Sequence, residues 1–281
     1  MSDPALGRLS LNSQTCKRLD LDQIIDVAVA AGLPAVGLGW HLLEPDGVEV
    51  AAKKVAAAGL RVSTLCRGGF LSAREPGDVV AALADNKGAI DDAATLGTSE
   101  VVMVVGGLPP GDRDLTAAGS RVTDRLAELV PFAQARGIRL ALEPLHPMYV
   151  ADRAVLSTLA QALDWASPFG PESVGVTVNT FHVFWDPDVA ASVARAGAEG
   201  RISSYQVCDF NLPIAPDALE SRGMMGDGVI NFAEITRAVA ATGYAGDIEV
   251  EIFNAEVWSR EGADVVAEIK DRYLHLIAPY L

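Results

Sequence analysis

The chain has 281 residues, half of them hydrophobic, enough for one large core, and no linker or low-complexity block divides it, so a single domain over residues 1–281 is expected. With 22 Lys and Arg against 37 Asp and Glu, its formal charge of −15 repels phosphate polymers and argues against nucleic acid as a partner. Cys16, Cys66 and Cys208 are widely spaced with no Cys-x-x-Cys pair, which argues for a reducing compartment and against a disulfide frame or a structural zinc site. No apolar run approaches the roughly 18 residues of a membrane span, and Met1 to Arg8 lacks the apolar stretch of a secretion signal, so a cytoplasmic location is expected.

Short β-rich runs alternate with helical stretches in chain order. Residues 8–15 predict a strand, 21–31 a helix closed by Gly32, 35–40 a second strand, and a helix ending near Gly59 follows. Strands over 61–65, 100–105 and 138–142 are followed by helical regions reaching Leu96, over 115–136 and over 156–165. Strands at 174–178, 202–207 and 248–252 are each followed by a helix, at 189–198, 232–241 and 265–276. The run Val101-Val102-Met103-Val104-Val105 is apolar throughout, as in a parallel strand covered on both faces. About eight such units match a closed (β/α)8 TIM barrel. The competing doubly wound sheet lacks a Gly-x-Gly-x-x-Gly after its first strand.

In a barrel of this kind the reacting groups come from the C-terminal ends of the strands and the loops after them. Those positions hold Asn12 and Gln14, Trp40 and His41, Arg67, Glu143 and His146, Asn179 and His182, Gln206 and Asp209, then Glu251 and Asn254. Glu143 and Glu251 are embedded in apolar runs, and a buried carboxylate needs a partner. Each could pair with an arginine. Taken together, with the amides Asn179 and Gln206 between them, they suit either a divalent cation or an acid and base pair around a polyol.

The segments Leu142-Glu143-Pro144-Leu145-His146-Pro147, Asn179-x-x-His182, Gln206-x-x-Asp209, Arg222-Gly223-Met224-Met225-Gly226-Asp227-Gly228 and Gly243-Tyr244-x-Gly246-x-Ile248-Glu249-Val250-Glu251 occur in that order. Together they resemble the xylose-isomerase-like sugar phosphate isomerase and epimerase superfamily over nearly the whole chain. The resemblance implies a divalent metal (Mn2+, Mg2+ or Co2+) held by Glu143, Asn179, Gln206 and Glu251. It also implies catalysis by Glu143 and Glu251 with His182 and His146, through proton transfer next to a carbonyl. Trp40, Arg67, Asp209 and Arg222 are expected to contact the substrate, a small polyhydroxylated carbonyl compound. Gln206 stands where the family commonly has His, a variation known within it. Asn179 stands where the pattern has Asp and removes one of three formal negative charges, so weakened metal binding or a metal-free enzyme is expected.

Trp40, Phe70, Tyr149, Phe181, Phe184 and Trp185 are expected around the opening, and the segment from Asn211 to Asp227 is expected to fold over it. An isomerase or epimerase is the leading reading. A lyase or dehydratase acting on a ketocyclitol, dehydroshikimate or an oxidised glycoside shares its first step, and a non-catalytic sugar-binding barrel is the alternative outside enzymes. The superfamily's trinuclear-zinc endonucleases are disfavoured by only 4 histidines and by the charge of −15. Homo-oligomers are common in the family, and association through the outer helices is open to this chain.

Overall fold

The computed structural model describes residues 4–281. Eight parallel strands close into one barrel, in spatial order one to eight: Leu9–Asn12, Ala35–Gly39, Arg61–Gly69, Glu100–Val104, Arg139–Leu142, Val174–Asn179, Ile202–Val207 and Ile248–Val250. The eighth strand pairs with both the first and the seventh, which seals the circle. The helices Leu21–Ala31, Val48–Ala57, Pro76–Leu96, Leu115–Gln134, Leu159–Ala166, Val189–Ala198, Phe232–Ala241 and Gly262–Leu276 separate and follow the strands, and the (β/α)8 TIM barrel expected from the sequence is observed. Among the described residues no helix is long and apolar enough to cross a membrane.

Local signals in the chain set these boundaries. Asp20 accepts from the Gln23 N–H while the Gln23 side chain accepts from the Asp20 N–H, a reciprocal cap that starts the first helix, and Gly32 ends it at a φ of 73°. Two strand ends differ most from expectation, those of the first and third strands. The first strand stops at Asn12 because the Asn12 side chain accepts from the Gln14 N–H and begins a 3-10 turn. The third strand runs on to Gly69, where Asn86 bonds both the N–H and the C=O of Gly69 from the following helix. Gly69 sits at a φ of 134°, and a Cβ there would lie 1.8 Å from the Val104 carbonyl oxygen, so only glycine fits.

Strand periodicity decides what enters the barrel. Ile248 and Val250 are fully buried in the apolar layer. Glu249, between them, bonds side chains from the first, third and seventh strands, a combination found only inside the barrel. Much of the interior is therefore polar: Ser10, Asn12, Thr64, Gln206 and Glu249 are all buried.

Candidate active site

A cavity of about 690 Å³ opens at the C-terminal ends of the strands. Glu143, just past the fifth strand, and Glu251, just past the eighth, both line it, as do His182 and Arg222; the second and third strands contribute Trp40, Arg67 and Phe70. Of the residues expected from the sequence, Glu143, Glu251, His182, Arg222, Trp40 and Arg67 share this one cavity. Asn179 and Gln206 are fully buried and join the site through hydrogen bonds to it.

The side chain of Asn179 is the hub. Its amide Nδ2 donates to Glu143 Oε1 at 2.9 Å, to Gln206 Oε1 at 2.9 Å and to Glu251 Oε2 at 3.2 Å. Its Oδ1 accepts the Phe181 N–H at 3.2 Å and so starts the short helix Thr180–Val183. Arg222 shares the same oxygen, its Nη1 donating to Glu251 Oε2 at 2.5 Å and to the Glu251 carbonyl at 3.0 Å. Both partners of this ion pair are nearly sealed from solvent, with 3% and 5% of their side chains exposed. The rings of Phe181 and Phe253 each lie 4.8 Å from the guanidinium.

Burial, followed by the nearby Glu251 charge, pushes the Glu143 carboxyl up to about 8. Burial works against the Arg222 charge, but Glu251, Cys208 and Glu143 together outweigh it and raise the guanidinium pKa. Burial, then the Arg222 charge, holds His182 well below the ordinary histidine range, so its ring is neutral. His182 Nδ1 accepts the His146 N–H at 3.0 Å, which leaves the ring proton on Nε2. That Nε2 lies 3.0 Å from Arg222 Nη2.

Besides Asn179 and Gln206, two expected site residues do not line the cavity. Asp209 is buried with its carboxylate fully engaged by backbone: Oδ1 accepts from the Phe210 and Ile230 N–H groups and Oδ2 from Gly226. It staples the loop that carries Arg222 instead of contacting a ligand. The His146 ring packs among Phe184, Trp185 and Phe210, and its Nδ1 accepts the N–H of Met148, so the residue orients His182 through its backbone only. Tyr149, Phe181, Phe184 and Trp185 are likewise packing around these histidines and Arg222 and not cavity wall, whereas Trp40 and Phe70 do line the opening, 44% and 47% exposed.

The segment after the seventh strand folds back as expected. Asp209–Phe210 pairs antiparallel with Arg222–Gly223, and Met224 and Met225 are buried beneath it. Asn254 Nδ2 donates to the Arg222 carbonyl at 2.8 Å and ties this loop to the eighth strand. Glu249, bonded to Gln206, and Phe253, on the cavity wall, belong to the site as well. Glu249 could have been found from its i, i+2 spacing to Glu251, which puts both on the same strand face.

The donor set decides whether a divalent cation suits this site. Such a cation needs oxygen ligands at about 2.0 to 2.6 Å, yet the three oxygens of Glu143, Gln206 and Glu251 already converge on an amide nitrogen. An Asp has two oxygens and could cap the helix with one while ligating with the other. Asn179 has a single oxygen, spent on Phe181, and turns N–H groups toward the place a cation would need. As arranged, these residues do not fit a divalent metal, and among the described residues no group of three or more His, Cys, Asp and Glu could hold one.

A family described as xylose isomerase-like TIM barrel matches residues 25–269. The chain belongs to that family. It is 30% identical over 139 residues to an L-ribulose 3-epimerase of Mesorhizobium japonicum, an alignment covering 49% of this chain and 42% of that protein. The match thus spans less than half the length of that curated relative. Among solved structures, protein SMc04130 of Sinorhizobium meliloti 1021 is 41% identical over 96% of this chain and 98% of its own, with a TM-score of 0.93. The IolI protein, solved with a bound zinc atom, shares the fold at a TM-score of 0.86 and 20% identity over 98% of this chain and 99% of its own.

Proposed function

We propose that this chain is a sugar isomerase or epimerase that moves a proton next to the carbonyl of a keto-sugar, inosose or related polyol. The observation that carries the reading is the pair Glu143 and Glu251, tied to a single Asn179 amide at the wall of one cavity. The bonds to Asn179 use Oε1 of Glu143 and Oε2 of Glu251; the second oxygen of each carboxyl makes no hydrogen bond among the described residues. Their environments differ as the two roles require. Glu143, pushed up to about 8, holds a proton at neutral pH and serves as the acid, and Glu251, ion-paired with Arg222, serves as the carboxylate base.

The developing oxygen anion also has a place to go. His182 Nε2–H and Arg222 Nη2 are both donors, and at 3.0 Å from one another they have no bond to make between themselves. Both line the cavity, and an enediolate oxygen accepting from the two would satisfy both. The epimerase relative, named for a ketose substrate, supports the same class of reaction.

A lyase is the second reading, favoured by one feature: the apolar outer wall of Trp40, Phe70 and Phe253 would accommodate the aglycone of an oxidised glycoside. Incubation with ketoses and inososes in D2O, followed by NMR, tests both readings. Deuterium entering the carbon next to the carbonyl is expected, with turnover falling about 10² to 10⁴-fold in Glu143→Gln and Glu251→Gln while the fold is kept. Full turnover in both variants would overturn the reading, elimination from 3-keto-glycosides without exchange into ketoses would favour the lyase, and binding without exchange or elimination would leave a non-catalytic sugar binder.

A further inference from the structure

We propose that a relay of side chains, Glu249 to Gln206 to Asn179, takes the place of a divalent cation in this barrel, so that the chain joins Glu143 to Glu251 without metal. The relay starts inside the barrel. Gly37 makes room for it: a Cβ at that position would lie 2.4 Å from the Glu249 carboxyl. Glu249 is 1% exposed and accepts four hydrogen bonds, from Asn12 Nδ2 at 2.6 Å and Gln206 Nε2 at 3.0 Å on Oε1, and from Ser63 Oγ at 2.5 Å and Thr64 Oγ1 at 2.9 Å on Oε2. A carboxylate accepts only, so it selects the amino end of the Gln206 amide and turns the carbonyl end toward Asn179.

Gln206 Oε1 then receives Asn179 Nδ2, and the Phe181 N–H holds Asn179 Oδ1 from the far side. The orientation of Asn179 is therefore fixed from both ends. Rotating its amide to offer an oxygen to a cation would set an NH2 group against the Phe181 N–H and remove the donor from three buried oxygens, each costly to leave unpaired. What joins Glu143 to Glu251 is thus an uncharged N–H donor, with Arg222 supplying the positive charge at the same Glu251 oxygen, Oε2. Two amides and one inward-facing carboxylate, none of them lining the upper cavity, carry this arrangement.

Titration of the EDTA-dialysed full chain with Mn2+, followed by calorimetry and by the manganese EPR signal, tests the relay without any substrate, so its failure is separable from failure of the isomerase reading. The wild-type chain is expected to show no site tighter than about 1 mM, and Asn179→Asp, which restores a carboxylate, to take up one equivalent at least about 100-fold more tightly. One equivalent bound by wild type within about tenfold of Asn179→Asp would overturn the proposal, as would a folded Asn179→Asp that stays free of cation. Should that variant not fold, the wild-type titration still decides, together with side-chain amide NMR of Glu249→Gln. Loss of the carboxylate is expected to speed exchange of the Gln206 and Asn179 amide protons about tenfold or more, and unchanged exchange would overturn the relay.

Discussion

The two halves of the barrel mouth are built on opposite terms. On the side of the fifth to eighth strands, Glu143, Asn179, Gln206, Arg222 and Glu251 are each buried and each held by bonds to the others, and His182, also buried, is held by the His146 N–H. On the side of the second and third strands, Trp40 and Phe70 are about half exposed; Trp40 Nε1 donates to Asp92 at 2.7 Å, and the Arg67 guanidinium lies 4.5 Å from the Phe70 ring. A buried polar network tolerates only one arrangement, because every unpaired group in it costs free energy, while an exposed wall can be rebuilt cheaply. Under the proposed isomerase reading, the first half carries the chemistry and the second the choice of substrate.

The sharpest way to break that division is at the ion pair. Arg222→Met leaves Glu251 buried without its cation and should cost about 3 to 5 kcal/mol of stability, read as a large drop in Tm; a loss close to zero would mean that water already screens the pair. A smaller effect with a definite sign comes from Glu143. A carboxyl pushed up to about 8 in the folded chain stabilises the fold fully below the ordinary carboxylate range and loses that contribution as pH rises toward 8. Glu143→Gln removes the titration, so its Tm relative to wild type should climb between pH 5 and 8 and level off above, at about 1.4 kcal/mol per unit of pKa shift. A gap that stays flat across that window would show that Glu143 is charged in the fold. The smallest effects belong to the exposed wall: Trp40→Ala and Phe70→Ala should leave kcat nearly unchanged and raise KM by about tenfold or less, and a larger fall in kcat than in affinity would move these rings into the chemistry.

Much of this was open to a reader of the chain alone. Helix stops at Gly32, Gly59, Gly137 and Gly243 are all realised at positive φ, and the apolar run from Val101 to Val104 is a strand buried on both faces. Strand ends pointed to Glu143 and Glu251 because a carboxylate in an apolar run has to have a reason. Asp209 and His146 occupy equally promising strand-end positions. Their side chains were claimed by the backbone of a returning loop and by a cluster of rings, neither of which a local pattern records.

What the sequence determined by itself was the number and spacing of the units, hence the barrel, and which residues stood where the strands end. The direction of each side-chain dipole was settled only by closure of the circle. Asn179 reads as a weakened metal ligand until the eighth strand brings Glu249 against Gln206 and the sixth strand's own helix claims the Asn179 oxygen. The physical reason is that an amide is both donor and acceptor. The end it shows to a site depends on partners more than 25 residues away in the chain as well as on its nearest neighbours, and only the folded barrel places them within reach.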